Sequence, residues 1–590
     1  MSDRPLLVLP TPARVRPGGS PRGGGNNEYP TRDRQVERLE PSFKSLKAIF
    51  AKRQAELQIS AAGHVPEEVV VFETVGAIAD FLKAAKRIPG FEYLAEWDVD
   101  HIDPDGDFHD SKDASKSLTG RVFLAMSNQR ALAQMLRLWG MYSRGDGAPR
   151  GFAPFYRLFG QLYDLRTWSV EDRLLDTGVV DQWNEIAGYN SVEPIPFEVE
   201  LWYRETVSQR TESVDRVRQI ITGMGGQITS VAEIEPIRYH SLMVNLPESQ
   251  VRTLVANHGS SLLGENSVMF FRPSGQTSVP LEDLSEVQPG PESTSRPLPA
   301  GEPTVALLDG LPLENHSQLT DRLVVDDPDD FAADYLARER NHGTAMASII
   351  VHGDLNAPGR PLPRPLYVRP LLRPDRRSWD GSSTERIPFY KNSLDLTYRC
   401  VRRMFEGDGD TPATAPHVKV VNFSIGDALQ PFHASVSAWG RLLDWLSVKY
   451  NVLFCVSAGN YTGSITLNVP RAELRNLLPE DRERELFRAL YLNLRLRRIL
   501  APADAINAVT VGAAHEDAGP AGNIPDRIDL ITSETMPSPV SALGCGLKGS
   551  TKPDVLFPGG RQVYSEKPGN THEFATLDLA SAIVPPGISV

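Results

Sequence analysis

Cysteine is scarce: Cys400, Cys455 and Cys545 are the three in 590 residues. They are too few and too widely spaced for a disulfide framework or a zinc cluster. Cys455 lies inside the apolar run NVLFCVSA and reads as a buried, inert thiol. A surplus of positive charge is missing too. The 62 Lys and Arg are outnumbered by 75 Asp and Glu, giving a formal charge of −13 and a pI of about 5.5. That balance argues against nucleic acid or an anionic membrane surface as the main partner. No apolar run approaches the roughly 20 residues of a membrane-spanning helix. The opening stretch, MSDRPLLVLPTPARVRPGG, holds only a short apolar patch broken by proline, too short for a secretory signal, so a cytoplasmic protein is expected. What remains is ordinary folding material, 41% hydrophobic and 8% aromatic. A chain of this length exceeds one ordinary core and implies roughly two to four domains.

Residues 1–34 are rich in Gly, Pro and Arg without periodicity and are expected to be a disordered tail. An α+β domain is expected over 35–190. It begins with an amphipathic helix, QVERLEPSFKSLKAIFAKRQAEL, and holds a ferredoxin-like unit at 66–140 with most of a βαββα(β) order. The order recurs at 195–273: FEVELWYRE as strand, ESVDRVRQIITGMGG as helix, QITSVAEI and YHSLMVNLP as strands, then ESQVRTLVANHG and SVMFFRP. Residues 274–302 are rich in Pro, Ser and Glu and read as an exposed linker. From about 303 the texture changes to short apolar strands, each ending in small residues, the pattern of a doubly wound α/β sheet.

Four of those strand ends or helix starts carry chemistry. TVALLDG (304–310) delivers Asp309 at the carboxyl end of an apolar strand, and NHGTAMASII (341–350) places His342 at a helix start. VKVVNFSIGD (418–427) and NVLFCVSAGN (451–460) are two further strands, the second delivering Asn460. Singly, each has a plain structural reading: a turn-capping Asp, a satisfied structural His, a turn-forming Asn.

Together and in this order, LLDG, NHGTAMAS, VVNFSIG and VSAGN resemble the subtilisin-like serine proteases, the subtilases. His342 follows Asp309 by 33 residues, which suits that family, as does the chain order Asp, His, then Ser. NAVTVGAA (507–514) and KGSTKPDVLFPGG (548–560) resemble the family's next core segments, so the resemblance covers about 303–590. It implies a subtilisin-like doubly wound parallel sheet preceded by ferredoxin-like α+β units, and a serine endopeptidase acting on polypeptides. By the same resemblance Asp309 orients and stabilises His342, His342 is the general base, and Asn460 donates to the oxyanion. Ser424, Ile425 and Gly426, with Ser457, Ala458 and Gly459, would flank an extended peptide and pair with its backbone.

The family's Gly-Thr-Ser-x-Ala nucleophile box is absent between Asn460 and Val590. Ser541 lacks the Gly-Thr lead, Ser550 comes too early, Ser581 precedes Pro-Pro, and Ser589 is penultimate. The expectation is therefore that the serine lies beyond residue 590, that this chain alone is inactive, and that apolar sheet surface is left open. The alternative is a non-catalytic, peptide-binding pseudoprotease. Two stretches read as insertions: the basic, Pro-rich NAPGRPLPRPLYVRPLLRPDRRSWDGSSTERIPFY, and RAELRNLLPEDRERELFRALYLNLRLRRIL, a charged amphipathic helix. DDPDD (326–330) invites Ca²⁺, as some subtilases bind it, but without EF-hand spacing it reads as a solvated acidic loop, and no cofactor is expected. The 195–273 unit occupies the position of a family propeptide, an inhibitor and folding chaperone. In outline the chain resembles bacterial multidomain subtilases associated with AAA-type ATPases. With no P-loop here, such an ATPase would be a separate partner protein.

Overall fold

Runs of β-branched and aromatic residues bounded by glycine and polar turns set the strands of three sheets. The structure, a computed structural model, describes residues 27–59, 67–175, 177–188, 193–274, 297–353, 359–375, 384–461, 463–516, 527–533, 536–565, 573–577 and 582–583. Residues 1–26 of the expected tail and 275–296 of the expected linker lie outside these. Order nevertheless begins earlier than residue 35. Asn27–Glu28 pairs with His109–Asp110, helix α1 (Arg32–Ile59) starts soon after, and Arg34 Nε donates to Asp107 Oδ1 at 3.0 Å.

The chain divides into two compact units, one built mainly from residues up to 173 and the other mainly from residues 216–257 and 270 onward. In the first, strands β1 (Glu67–Val75), β2 (Phe91–Ile102), β3 (Leu118–Asn128) and β4 (Leu162–Thr167) form one sheet in the order β2-β3-β1-β4. The strand that completes this sheet arrives only at Leu162, after helices at Gln129–Arg144 and Ala153–Gln161, so the unit reaches well past residue 140. Its core is dense in aromatics, among them Phe43, Phe72, Phe81, Phe123, Phe155 and Trp139.

Strands β5 (Ile195–Leu201), β6 (Gln227–Ile234), β7 (Tyr239–Leu246) and β8 (Val268–Pro273) form a second four-stranded sheet, in the order β8-β5-β7-β6. Among its connecting elements are helices α2 (Val207–Gly223) and α3 (Glu248–Ala256).

The large sheet has seven strands: β9 (Val305–Asp309), β10 (Leu323–Val325), β11 (Leu366–Pro370), β12 (Val420–Phe423), β13 (Leu453–Ser457), β14 (Val509–Ala514) and β15 (Val555–Pro558). Their order is β10-β11-β9-β12-β13-β14-β15, and every pairing is parallel. Parallel strands need crossovers, and the crossover helices cover the faces. Helix α4 (Asn341–His352) lies on one face, where Ala347 and Val351 pack with Leu307, Leu366 and Val368. Helices α5 (Ser393–Glu406) and α6 (Ala438–Tyr450) cover the other, packing Val401, Met404, Leu442 and Leu446 with Val421, Phe423, Phe454 and Val456.

Strand β11 corrects a sequence expectation. The Pro-rich stretch read as an insertion contains a fully buried core strand, LYVRP, neighbour to the Asp309 strand. Flanking prolines concealed it, because five residues between breakers carry too little periodicity to register. The second expected insertion does form a helix, Pro479–Leu492, which packs Leu486 and Ala489 into a satellite core with Leu474, Ile465 and Leu530.

Among the described residues, the sheet face shared with α4 is only partly covered farther along. Val420, Asn422, Cys455, Val509 and Val511 are half-buried among the described residues, Leu453 is exposed, and at the β15 edge Phe557 is 62% exposed.

The acidic loop 326–330 is another correction. Asp326 accepts from Arg403 Nε (2.9 Å), Asp329 from Lys391 Nζ (2.5 Å) and from Arg369, while Asp327 accepts from the backbone N–H of Phe331 and Ala332. These three carboxylates are mostly buried and spent on cations and amides, while Asp330 is exposed, so the loop is solvated only in part and the paired donor set does not fit Ca²⁺. Among the described residues no group of three or more His, Cys, Asp or Glu could hold a metal ion.

The β6–β7 region joins the core under α5 and α6: Ile234, Ile237 and Tyr239 pack in the same cluster as Met404 and Leu442. Asn392 organises the polar part. Its carbonyl caps α5 by accepting from Asp395 N (2.9 Å), and its amide donates to Tyr239 Oη (2.8 Å) and Ser241 Oγ (2.9 Å). Replacing Asn392 by Ala removes the cap and a buried donor together. A loss of about 2–3 kcal/mol is expected, read as a lower urea midpoint at unchanged m-value.

Candidate active site

Strand β9 ends at Asp309, which is fully buried. Its Oδ1 accepts from Gly310 N (2.6 Å) and from His342 Nδ1; Oδ2 has no partner among the described residues. His342 is the second residue of α4, with a side chain 18% exposed. Donation through Nδ1 leaves Nε2 free to act on a reacting group. Burial works against charge on the ring. The charge and hydrogen bond of Asp309, with Glu385 adding to them, outweigh it and push His342 up to about 9.

The start of α4 is held closely. Thr344 Oγ1 donates to Arg340 O and accepts from Leu313 N (2.9 Å). A Cβ on Gly343 would stand 2.2 Å from Gly310 O, so the glycine after the histidine lets this helix sit against the turn after Asp309. Gly343→Ala must move one backbone off the other. The expected result is a loss of about 1–3 kcal/mol in stability, with the His342 imidazole NMR signal shifted as it separates from Asp309.

His342 opens onto a cavity of about 210 Å³ that Ser424, Ile425, Gly426, Ser457, Gly459 and Asn460 also line. Two parallel strands, β12 and β13, thus end side by side opposite the histidine. The loop carrying Asn460 is pinned from outside: Ala542 N donates to Gly459 O (2.9 Å) and Tyr461 N to Val540 O (2.8 Å). Asn460 itself is exposed. Ala458 is not on the cavity. Its methyl is in the core, its N–H donates to Val511 O and its carbonyl accepts from Leu500 N.

The hydroxyls of the cavity serines are engaged locally, Ser424 Oγ with Asn422 Oδ1 (2.9 Å) and Ser457 Oγ with Gly459 N (3.2 Å). Ser541 is buried, accepts from Ala513 N (3.1 Å) and donates to its neighbour's carbonyl, a structural role. Ser550 is exposed on a tight turn, and Ser581 and Ser589 lie outside the described residues.

Sequence reasoning missed two residues that meet the same site, Glu385 and Tyr335. Glu385 lines the cavity, and its carboxylate accepts from the backbone N–H of His342 (2.9 Å) and from Tyr335 Oη (2.7 Å). A lone Glu in SSTERIPFY carries no local signal; only a hairpin brings it to the histidine. Met346 and Leu372 supply apolar wall.

Residues 300–581 match the sequence model described as the subtilase family. A curated relative, the uncharacterized protein y4bN of Sinorhizobium fredii, is 36% identical over 151 residues, which cover 25% of this chain and 32% of that protein. The match thus spans about a third of the relative's length. The crystal structure of a cold-adapted subtilisin-like serine proteinase aligns with 47% of this chain and 70% of its own, at 16% identity and a TM-score of 0.24. Among the described residues no helix is long and apolar enough to cross a membrane.

Proposed function

We propose that this protein, whose residues 300–581 match the subtilase family model, hydrolyses peptide bonds as a serine endopeptidase, through an acyl-enzyme. The observation that carries the reading is the buried Asp309 bonded to His342 at the edge of a cavity that Asn460 also lines. In this scheme the substrate lies extended between the ends of β12 and β13, pairing with backbone rather than with selective side chains. His342 Nε2 takes the proton of the attacking serine and returns it to the leaving amine, while Asp309 stabilises the imidazolium. Asn460 donates its side-chain amide to the carbonyl oxygen as it becomes an oxyanion.

The serine is proposed to sit on an element beyond Val590 that seats on the half-open sheet face, beside α4. The half-buried Val420, Cys455, Val509 and Val511 support that seat. On this reading residues 1–590 alone bind peptide without turnover. The β5–β8 sheet is proposed as a propeptide-like regulator, supported by its shared core with α5 and α6.

The test extends expression through the reading frame past Val590 and treats the folded product with a fluorophosphonate. One labelled serine beyond residue 590, with labelling lost in His342→Ala, is the expected result. A folded, extended protein that takes no label would replace this reading with that of a non-catalytic peptide binder.

A further inference from the structure

Helix α4 begins without a side-chain cap of its own, since Arg340 at the N-cap position contributes none. The first N–H groups of a helix have no intrahelical acceptor, and a carboxylate is the favoured partner there. Here the partner comes from another element. Glu385 stands on the short strand Thr384–Arg386, paired antiparallel with Arg373–Asp375, and is 4% exposed. Its Oε2 accepts from His342 N at 2.9 Å, and its Oε1 accepts from Tyr335 Oη at 2.7 Å. The tyrosine oxygen also lies 3.1 Å from Leu372 O and accepts from Leu311 N at 3.4 Å.

Gly310 belongs to the same arrangement. A Cβ at that position would stand 2.4 Å from Glu385 Oε1 and 3.2 Å from Tyr335 Oη. The glycine directly after Asp309 therefore leaves the space that the Glu385 carboxyl fills, and the two residues form one device.

We propose that Glu385 is a positioning residue for His342, fixing the start of its helix through the backbone N–H and supplying a second carboxylate to the imidazolium beside Asp309. This role rests on His342 being the general base. Burial pushes the Glu385 carboxyl up to about 7, against the opposing effects of His342, of the Tyr335 hydrogen bond and of the His342 N–H. The charged and titratable groups facing it are Asp309, His342 and Tyr335, and the Arg340 guanidinium lies 6.0 Å from the Tyr335 ring. Below neutrality the protonated Glu385 donates to Tyr335 Oη, whose hydroxyl then donates its hydrogen bond to Leu372 O. Above neutrality the carboxylate accepts from Tyr335, and its charge favours protonated His342.

The experiment follows the His342 ring by NMR in folded protein labelled with ¹³C-histidine, assigned by loss of its signal in His342→Ala. Glu385→Gln keeps both hydrogen bonds, since the amide oxygen accepts from His342 N and the amide nitrogen donates to Tyr335 Oη, but it deletes the charge. The titration midpoint of His342 is expected to fall by about one pH unit. In active, extended protein the acid limb of kcat should move in the same direction with KM unchanged. An unmoved His342 titration in folded Glu385→Gln overturns the role. Should that variant not fold, Glu385→Ala removes the carboxylate altogether and must lower the His342 midpoint as well; an unmoved midpoint there overturns it equally. Because the titration needs no turnover, an inactive protein would sink the protease reading while leaving the Glu385 result to stand or fall by itself.

Discussion

On the proposed protease reading, His342→Ala made in protein extended past Val590 is expected to lower kcat by on the order of 10⁶-fold, and Asp309→Asn by on the order of 10⁴-fold. The difference follows from the two roles. Without the imidazole nothing accepts the serine proton, whereas without the buried carboxylate a base remains but loses its tautomer and its counter-charge. Neither residue grips the peptide backbone in this scheme, so KM should stay within a few-fold while kcat collapses. Steady-state kinetics on a fluorogenic peptide, normalised to folded protein, measure both. The same pair sets the pH profile. His342 is pushed up to about 9 and serves as a base when neutral, so kcat should climb with pH toward that value. The sign for stability is the reverse. A histidine whose folded value is raised contributes stability that is fully present below its unfolded value, and that contribution is lost as pH rises through about 9. Asp309→Asn should move both trends to lower pH.

Asn460→Ala is expected to cost 10²- to 10³-fold in kcat, equivalent to about 3–4 kcal/mol of transition-state stabilisation. Asn460 is exposed on the cavity, and its loop is held by hydrogen bonds made through Gly459 O and Tyr461 N. Truncating the side chain therefore removes a donor without dismantling the loop, and stability should barely change. Asn460→Asp should be worse than Ala, because an anion would face the developing oxyanion. If both variants kept wild-type kcat, the oxyanion would have to be held by other donors and Asn460 would revert to a turn residue.

Much of the candidate site was legible along the chain because its parts are local. Asp309 and Asn460 each close an apolar strand, and His342 opens a helix of small residues. A parallel sheet collects the carboxyl ends of its strands on one edge, so strand ends with polar residues converge without further instruction. Ala458 shows the limit of such patterns: strand alternation continues through the loop and turns its methyl inward while its neighbours line the cavity. The LYVRP core strand was hidden by flanking prolines, and the acidic loop by the arginines and lysine that neutralise it from residues 369–403.

What the sequence by itself determined was the order of elements and which residues stand at the ends of periodic segments around the candidate site: a carboxylate, an imidazole and an amide. What only the tertiary structure decided was their surroundings. Glu385 reaches His342 across 43 residues of chain, Tyr335 joins it from another turn, and the glycine after Asp309 makes room for both. The physical reason is range. Hydrophobic periodicity acts over a few residues and is written locally, whereas a proton's affinity depends on charges and donors within a few ångströms, whichever part of the chain brings them.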